Sequence, residues 1–105
     1  MKEEIKSFIG KHNFKSFVSE NAIKDDYERE IYSAWIEEDN DKIYFYFIGN
    51  GFMKYQVRNM VGTLVKVGKG KLKRGIIKEI LLDNSLSKYV TTIKREGLYL
   101  EEIEY

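Results

Sequence analysis

Ile43-Tyr44-Phe45-Tyr46-Phe47-Ile48-Gly49-Asn50-Gly51-Phe52-Met53-Lys54-Tyr55-Gln56-Val57-Arg58-Asn59-Met60-Val61-Gly62 changes its hydrophobic period half-way along, and that change decides the fold. Up to Ile48 the side chains alternate as in a strand, Ile43, Phe45 and Phe47 against Tyr44, Tyr46 and Ile48. From Met53 onward Met53, Val57, Met60, Val61 and Leu64 recur at the three- and four-residue steps of an amphipathic helix. Arg58 stands in that otherwise apolar face. A guanidinium is costly to desolvate unless it is paired and hydrogen-bonded, so Arg58 either curls to solvent or meets a carboxylate or phosphate. Gly62, one turn further on, leaves room for such a partner.

Upstream, Ile31, Ser33 and Trp35 alternate with Tyr32, Ala34 and Ile36, and a turn near Asp39-Asn40-Asp41 joins this run to the next as a hairpin. Both faces of the ribbon carry apolar or aromatic groups. One face should be covered by helices of the same domain, and the other is left for an interface. Ile5, Phe8 and Ile9 predict a short helix ending at Gly10, followed by a loop, Gly10-Lys11-His12-Asn13-Phe14-Lys15-Ser16-Phe17, pinned by its two phenylalanines. Downstream, Ile76, Ile77, Ile80 and Leu81 predict a second helix that stops near Asp83-Asn84, with asparagine as its C-terminal cap. Leu98, Tyr99, Leu100, Ile103 and Tyr105 predict a closing strand. The order helix, hairpin, helix, helix, strand gives an α+β fold with helices packed on one face of a small, largely antiparallel sheet. No repeat, low-complexity tract or linker interrupts the 105 residues, which read as a single domain, 1–105.

Composition removes several chemistries. With 43% hydrophobic and 33% charged residues, the chain has the balance of an ordinary globular domain. The absence of cysteine excludes disulfides, thiol nucleophiles and thiolate zinc sites, and a single histidine, His12, excludes every two-histidine metal site within one chain. Only an oxygen-ligand metal site is left, and none is assigned. No apolar stretch reaches membrane-spanning length and the first ten residues hold Glu3 and Glu4, so the expectation is a cytoplasmic protein with no membrane partner.

The formal charge of +1 conceals an asymmetry. Residues 1–53 hold 7 Lys and Arg against 11 Asp and Glu, a net −4, whereas residues 54–105 hold 11 against 6, a net +5. Lys66, Lys69, Lys71, Lys73 and Arg74 fall within nine residues that contain no acid. Such a run is either a solvated loop or a contact for a phosphate backbone. Gly68-Lys69-Gly70-Lys71 lacks the spacing and the Ser/Thr of a nucleotide-binding phosphate loop.

Three ordered blocks, Gly10 to Phe17, Gly49 to Leu64 and Gly97-Leu98-Tyr99-Leu100, together resemble the C-terminal domain of the tRNA pseudouridine synthase A family. The resemblance runs across essentially the whole chain, and the arginine helix is its most specific part. It implies one half of a pseudouridine synthase fold, and an isomerase that converts uridine to pseudouridine in the tRNA anticodon stem-loop without cofactor or metal. In that family an aspartate carboxylate starts the reaction, and it belongs to an N-terminal half that these 105 residues do not contain; the fragment alone is expected to be inactive. Arg58 matches the family's arginine that pairs with the aspartate. Leu98 matches the apolar residue against the target base, with Tyr99 and Phe52 as further lining; His12 and the run Lys66, Lys69, Lys71, Lys73 and Arg74 become candidates for RNA contact. The implied partners are tRNA, the N-terminal half and a second copy in a homodimer.

Some positions depart from the family pattern. Asn13 stands where aspartate usually follows the histidine, Gln56 where the residue is usually apolar, Lys54 where it is usually aromatic, and Thr92-Ile93-Lys94-Arg95-Glu96 replaces a proline-containing approach to the last strand. Two rival functions use the same residues. One is a free-standing RNA-binding module in which Lys54, Phe52, Tyr44 and Tyr46 form a stacking platform and the lysine run follows the backbone, and the other is a protein-interaction or dimerisation domain that uses the uncovered face of the hairpin.

Overall fold

The expected hairpin forms from β2 (Glu28–Asp39) and β3 (Lys42–Gly49), antiparallel, in a computed structural model that describes residues 1–18, 26–53 and 55–93. The loop has two residues, and Asn40 takes left-handed backbone at φ 54°, which asparagine tolerates better than most side chains. Ala34 faces Phe47 across the pair and Ile36 faces Phe45, so these four turn inward together. On the opposite face Trp35 lies flat against its cross-strand neighbour Tyr46, with ring centroids 4.8 Å apart and planes 7° from parallel.

The alternation read from sequence breaks at one point. Ile31 pairs with Gly49 and Ser33 with Ile48, so β2 spends an extra residue, Tyr32, in a bulge. A bulge flips the parity of everything beyond it. Ile31 is therefore inward before the bulge and Ala34 and Ile36 inward after it, and the expected set of Ile31, Ser33 and Trp35 on one face is split. Gly49 is needed here, because a Cβ at this position would lie 2.7 Å from the Glu30 carbonyl oxygen.

A second difference concerns the segment expected to be a loop. Gly10–Asn13 is a short strand, β1, paired antiparallel with β2 from Gly10 opposite Ile31 to Asn13 opposite Glu28, which gives a three-stranded sheet in the order β1-β2-β3. Its four residues carry no apolar alternation, and the ladder offered by β2 makes it a strand. Beyond it the two phenylalanines pin the chain as expected, Phe14 and Phe17 both being fully buried.

Over the inner face lie a 3-10 helix at Glu4–Phe8, α1 (Gln56–Gly68) and α2 (Ile76–Leu82). The 3-10 helix touches β2, α1 and α2, and Phe8 meets Phe17 and Phe47 edge-on at 5.3 and 6.0 Å. Met60 and Leu64 from α1, and Ile76, Ile77, Ile80 and Leu81 from α2, complete this core, while Ile9, expected in the first helix, lies just beyond it and is exposed. Met1 packs at the edge of the core, close enough to Gly68 that a Cβ there would meet its side chain.

Glu4, which enters the sequence reading only as an early acidic residue, is buried. Its carboxylate accepts hydrogen bonds from the backbone N–H groups of Gly75 (3.0 Å) and Ile77 (3.2 Å), satisfying donors that the first turn of α2 cannot satisfy itself. Asn84 does not cap α2. The chain turns extended at Asp83, whose carboxylate accepts from the Ser85 N–H and hydroxyl, and Asn84 opens a 3-10 helix that runs to Tyr89. The expected last strand lies outside the described residues. Among the described residues no helix is long and apolar enough to cross a membrane.

Candidate functional site

The first turn of α1 builds the site. Gln56 is fully buried, and its Oε1 accepts from the Met53 N–H at 2.9 Å while its own N–H donates to the Met53 carbonyl at 3.0 Å. This reciprocal pair satisfies two donors at the helix start, so the polar residue at a position expected to be apolar serves as an internal cap. Tyr55, immediately before the helix, holds left-handed backbone at φ 63°. For a non-glycine residue that geometry costs roughly 1–2 kcal/mol. It accompanies a contact one turn on, where the Arg58 guanidinium lies over the Tyr55 ring at 4.7 Å from Cζ to centroid. Such a contact returns on the order of 0.5–2 kcal/mol.

Arg58 is half-buried, and its Nη2 donates to the Ile93 carbonyl at 3.2 Å, while the Ile93 N–H donates back to the Arg58 carbonyl at 3.3 Å. Nε is buried without a hydrogen-bond partner among the described residues. The ion pairs among those residues are Lys6 with Glu3, Lys11 with Glu28 and Lys73 with Glu79, and none reaches Arg58. A guanidinium set over a ring face and tethered at one nitrogen can still receive a planar two-oxygen anion, either carboxylate or phosphate.

Gly62 serves a different purpose from the one expected. A Cβ there would sit 2.1 Å from the Thr91 carbonyl oxygen and 2.7 Å from the Ile93 nitrogen, so the space is filled by this chain's own backbone. Polar residues on the same flank of α1 fasten that segment. The Thr91 N–H donates to Thr63 Oγ1 at 3.1 Å, the Thr92 hydroxyl donates to Asn59 Oδ1, and the Asn59 side-chain amide donates to the Phe17 carbonyl at 2.8 Å. Asn59 and Thr63 are one turn apart and buried, a polar stripe inside an apolar face. That spacing is visible in the sequence; what it binds is not.

A family model described as tRNA pseudouridine synthase matches residues 5–105. The chain belongs to the tRNA pseudouridine synthase family. It is 42% identical over 105 residues to tRNA pseudouridine synthase A 1 of Bacillus cereus, covering all of this chain and 42% of that protein. It is 40% identical to tRNA pseudouridine synthase A of Streptococcus suis over 107 residues, and 40% to that of Lactococcus lactis over 108, covering 43% and 42% of those proteins. The chain thus spans less than half the length of the curated relatives it matches.

The family-matched residues are spread about the structure, and Arg58's own contacts are with Tyr55 and Ile93. Phe52 lies exposed in the connection between β3 and α1. Leu98 and Tyr99 lie outside the described residues, as does Lys54. The basic run sits beyond the far end of α1: Lys66 is eight residues from Arg58, about 12 Å along the axis, and Lys69 follows the last helical residue. Within the run Lys69, Lys71 and Arg74 are exposed and Lys73 is paired with Glu79 at 3.0 Å. His12 is half-buried, its Nε2 donates to the Ile9 carbonyl at 2.9 Å, and its ring meets Phe14 edge-on. Since a carbonyl can only accept, Nε2 carries the proton and that nitrogen is committed to the fold. Asn13 likewise has local work, its Oδ1 accepting from the Lys15 N–H at 2.9 Å. Among the described residues no cluster of His, Cys, Asp and Glu could hold a metal ion.

Proposed function

We propose that this chain is the C-terminal half of a tRNA-uridine isomerase, acting in the cytoplasm on the anticodon stem-loop, and that Arg58 pairs with a catalytic aspartate carried by the N-terminal half. The observation that carries this reading is the half-buried guanidinium that lies over the Tyr55 ring with no carboxylate beside it among the described residues. Conversion of uridine to pseudouridine breaks the N1–C1′ bond, turns the uracil and forms C5–C1′; the C5 proton is lost to solvent and N1 gains one in its place, so the base must leave its stack. The aspartate has to remain ionised while partly desolvated. An adjacent guanidinium favours the charged form against that desolvation and fixes the carboxylate plane. Phe52, Leu98 and Tyr99 then form the apolar wall of the uridine pocket. Lys66, Lys69, Lys71, Lys73 and Arg74, with His12, extend the tRNA surface, and the full-length enzyme is a homodimer.

In the full-length protein, Arg58→Lys should lower turnover by tens-fold and Arg58→Gln by at least a hundredfold, since breaking a buried pair costs about 3–5 kcal/mol and lysine offers no planar two-point contact. Release of the C5 hydrogen from tritiated tRNA measures this. Near-normal turnover in both variants, or pseudouridine formation by the isolated 105-residue chain, would remove Arg58 from this role.

The reading as a free-standing base-stacking module has the aromatic rings it needs at Trp35, Tyr44 and Tyr46. Their surroundings oppose it. The Trp35 indole N–H donates to Glu37, and Glu38, Asp39 and Asp41 stand exposed at the hairpin tip, so a phosphate backbone would be repelled there.

A further inference from the structure

We infer that Tyr55 is a positioning residue for this reaction, its ring face holding the Arg58 guanidinium in the plane in which it meets the aspartate. Tyr55's role rests on the one proposed for Arg58. A two-point contact requires both terminal nitrogens to lie close to the carboxylate plane, within about 10–20°. One hydrogen bond from Nη2 to Ile93 leaves the guanidinium free to swing about that bond. The described residues supply no carboxylate to stop it, and the ring beneath Cζ does. Because Nε is buried, an anion arriving from outside meets the terminal edge of the guanidinium, whose plane the ring controls.

Tyr55 is not placed to serve the core. It is 39% exposed and holds its left-handed backbone at the helix start without giving α1 a side-chain cap. Strain kept at an exposed aromatic residue whose ring lies under a cation with no carboxylate beside it among the described residues has a use in orienting that cation. Met53, Gln56 and Met60 already fix the first turn of the helix through the Gln56 side chain.

The test uses the full-length protein with Tyr55→Phe, Tyr55→Leu and Tyr55→Ala, each alone and the leucine variant also with Arg58→Lys. Tyr55→Phe should keep turnover within about twofold of the parent, since the ring face is retained. Tyr55→Leu and Tyr55→Ala should lower kcat about tenfold with KM for tRNA within about twofold, a loss in keeping with one ring–cation contact. In the Arg58→Lys background Tyr55→Leu should cause almost no further loss, because two residues acting through one contact are not additive. The leucine variant keeps the bulk of the side chain and decides the matter if Tyr55→Ala fails to fold. Full turnover in Tyr55→Leu, a Tyr55→Phe defect as large as that of leucine, or additive losses in the double variant would overturn the inference while leaving the role of Arg58 standing. Unimpaired Arg58 variants would overturn both.

Discussion

Replacing Gly62 by alanine tests whether α1 and residues 91–93 are joined as the structure has them. On the helix alone the change is favourable by roughly 0.8–1 kcal/mol, the intrinsic gain of alanine over glycine. The new methyl carbon would stand 2.1 Å from the Thr91 carbonyl oxygen and 2.8 Å from its carbon, where ordinary contact begins at 3.4 Å. The obstacle is backbone, so the segment has to retreat by about 1.3 Å, the gap between ordinary contact and that separation. Four hydrogen bonds cross the gap, from Thr91 to Thr63, Thr92 to Asn59, Ile93 to the Arg58 carbonyl and Arg58 to the Ile93 carbonyl. At about 1 kcal/mol net apiece, most of their contribution is lost. The expected outcome is a loss of about 3 kcal/mol after the helix gain is subtracted, read as a lower urea midpoint at unchanged m. Hydrogen exchange at the Thr91 and Ile93 amides should accelerate, while the amides of β2 and β3 outside the fastened segment change less. A variant as stable as the parent, or more stable by the alanine gain, would refute the packing of this segment against α1 and the tether it gives Arg58.

Two other perturbations address the rest of the fold. Glu4→Ala leaves the Gly75 and Ile77 N–H groups without their acceptor and should cost about 2–3 kcal/mol in urea denaturation, with Glu4→Gln recovering part of it; an unchanged midpoint would mean that α2 does not depend on this carboxylate. Asp83 is exposed, and the Ser85 hydroxyl followed by the Ser85 N–H holds its carboxyl below the ordinary 3.8. A depressed value in the folded state makes its contribution complete above that ordinary value and lost as the pH falls through the lower one. Asp83→Asn should therefore be less stable than the parent at neutral pH, with the gap closing below pH 3.8, and a pH-independent gap would contradict the assignment.

The residues that announced themselves in the sequence did so by periodicity. Alternation gave the hairpin, the three- and four-residue steps gave α1 and α2, and a cation in an apolar face marked Arg58. What periodicity cannot carry was missed. Tyr32 is an ordinary member of an alternating run until the partner strand is counted, and only then does it become a bulge. Gly10–Asn13 is a strand because β2 offers it a ladder, and the burial of Glu4 leaves no local signal because its two donors lie more than 70 residues away. The purpose of Gly62 was misjudged for a related reason: a glycine declares that something comes near, and the object here is backbone from residues 91–93. Tyr55 and Arg58 stand three residues apart in the sequence, but the left-handed backbone at Tyr55, whose ring lies beneath the cation, has no signature in a tyrosine.

The position of Met1 has a bearing on how any preceding polypeptide would be threaded. Its side chain rests beside Gly68, the final residue of α1, whereas Arg58 occupies the opening turn of that helix. Ten residues of helix separate the two, about 15 Å at the usual rise. On the pairing proposed for Arg58, polypeptide joined ahead of Met1 would start beside the Gly68 end of α1, and its acidic partner would have to act at the opposite end of that helix.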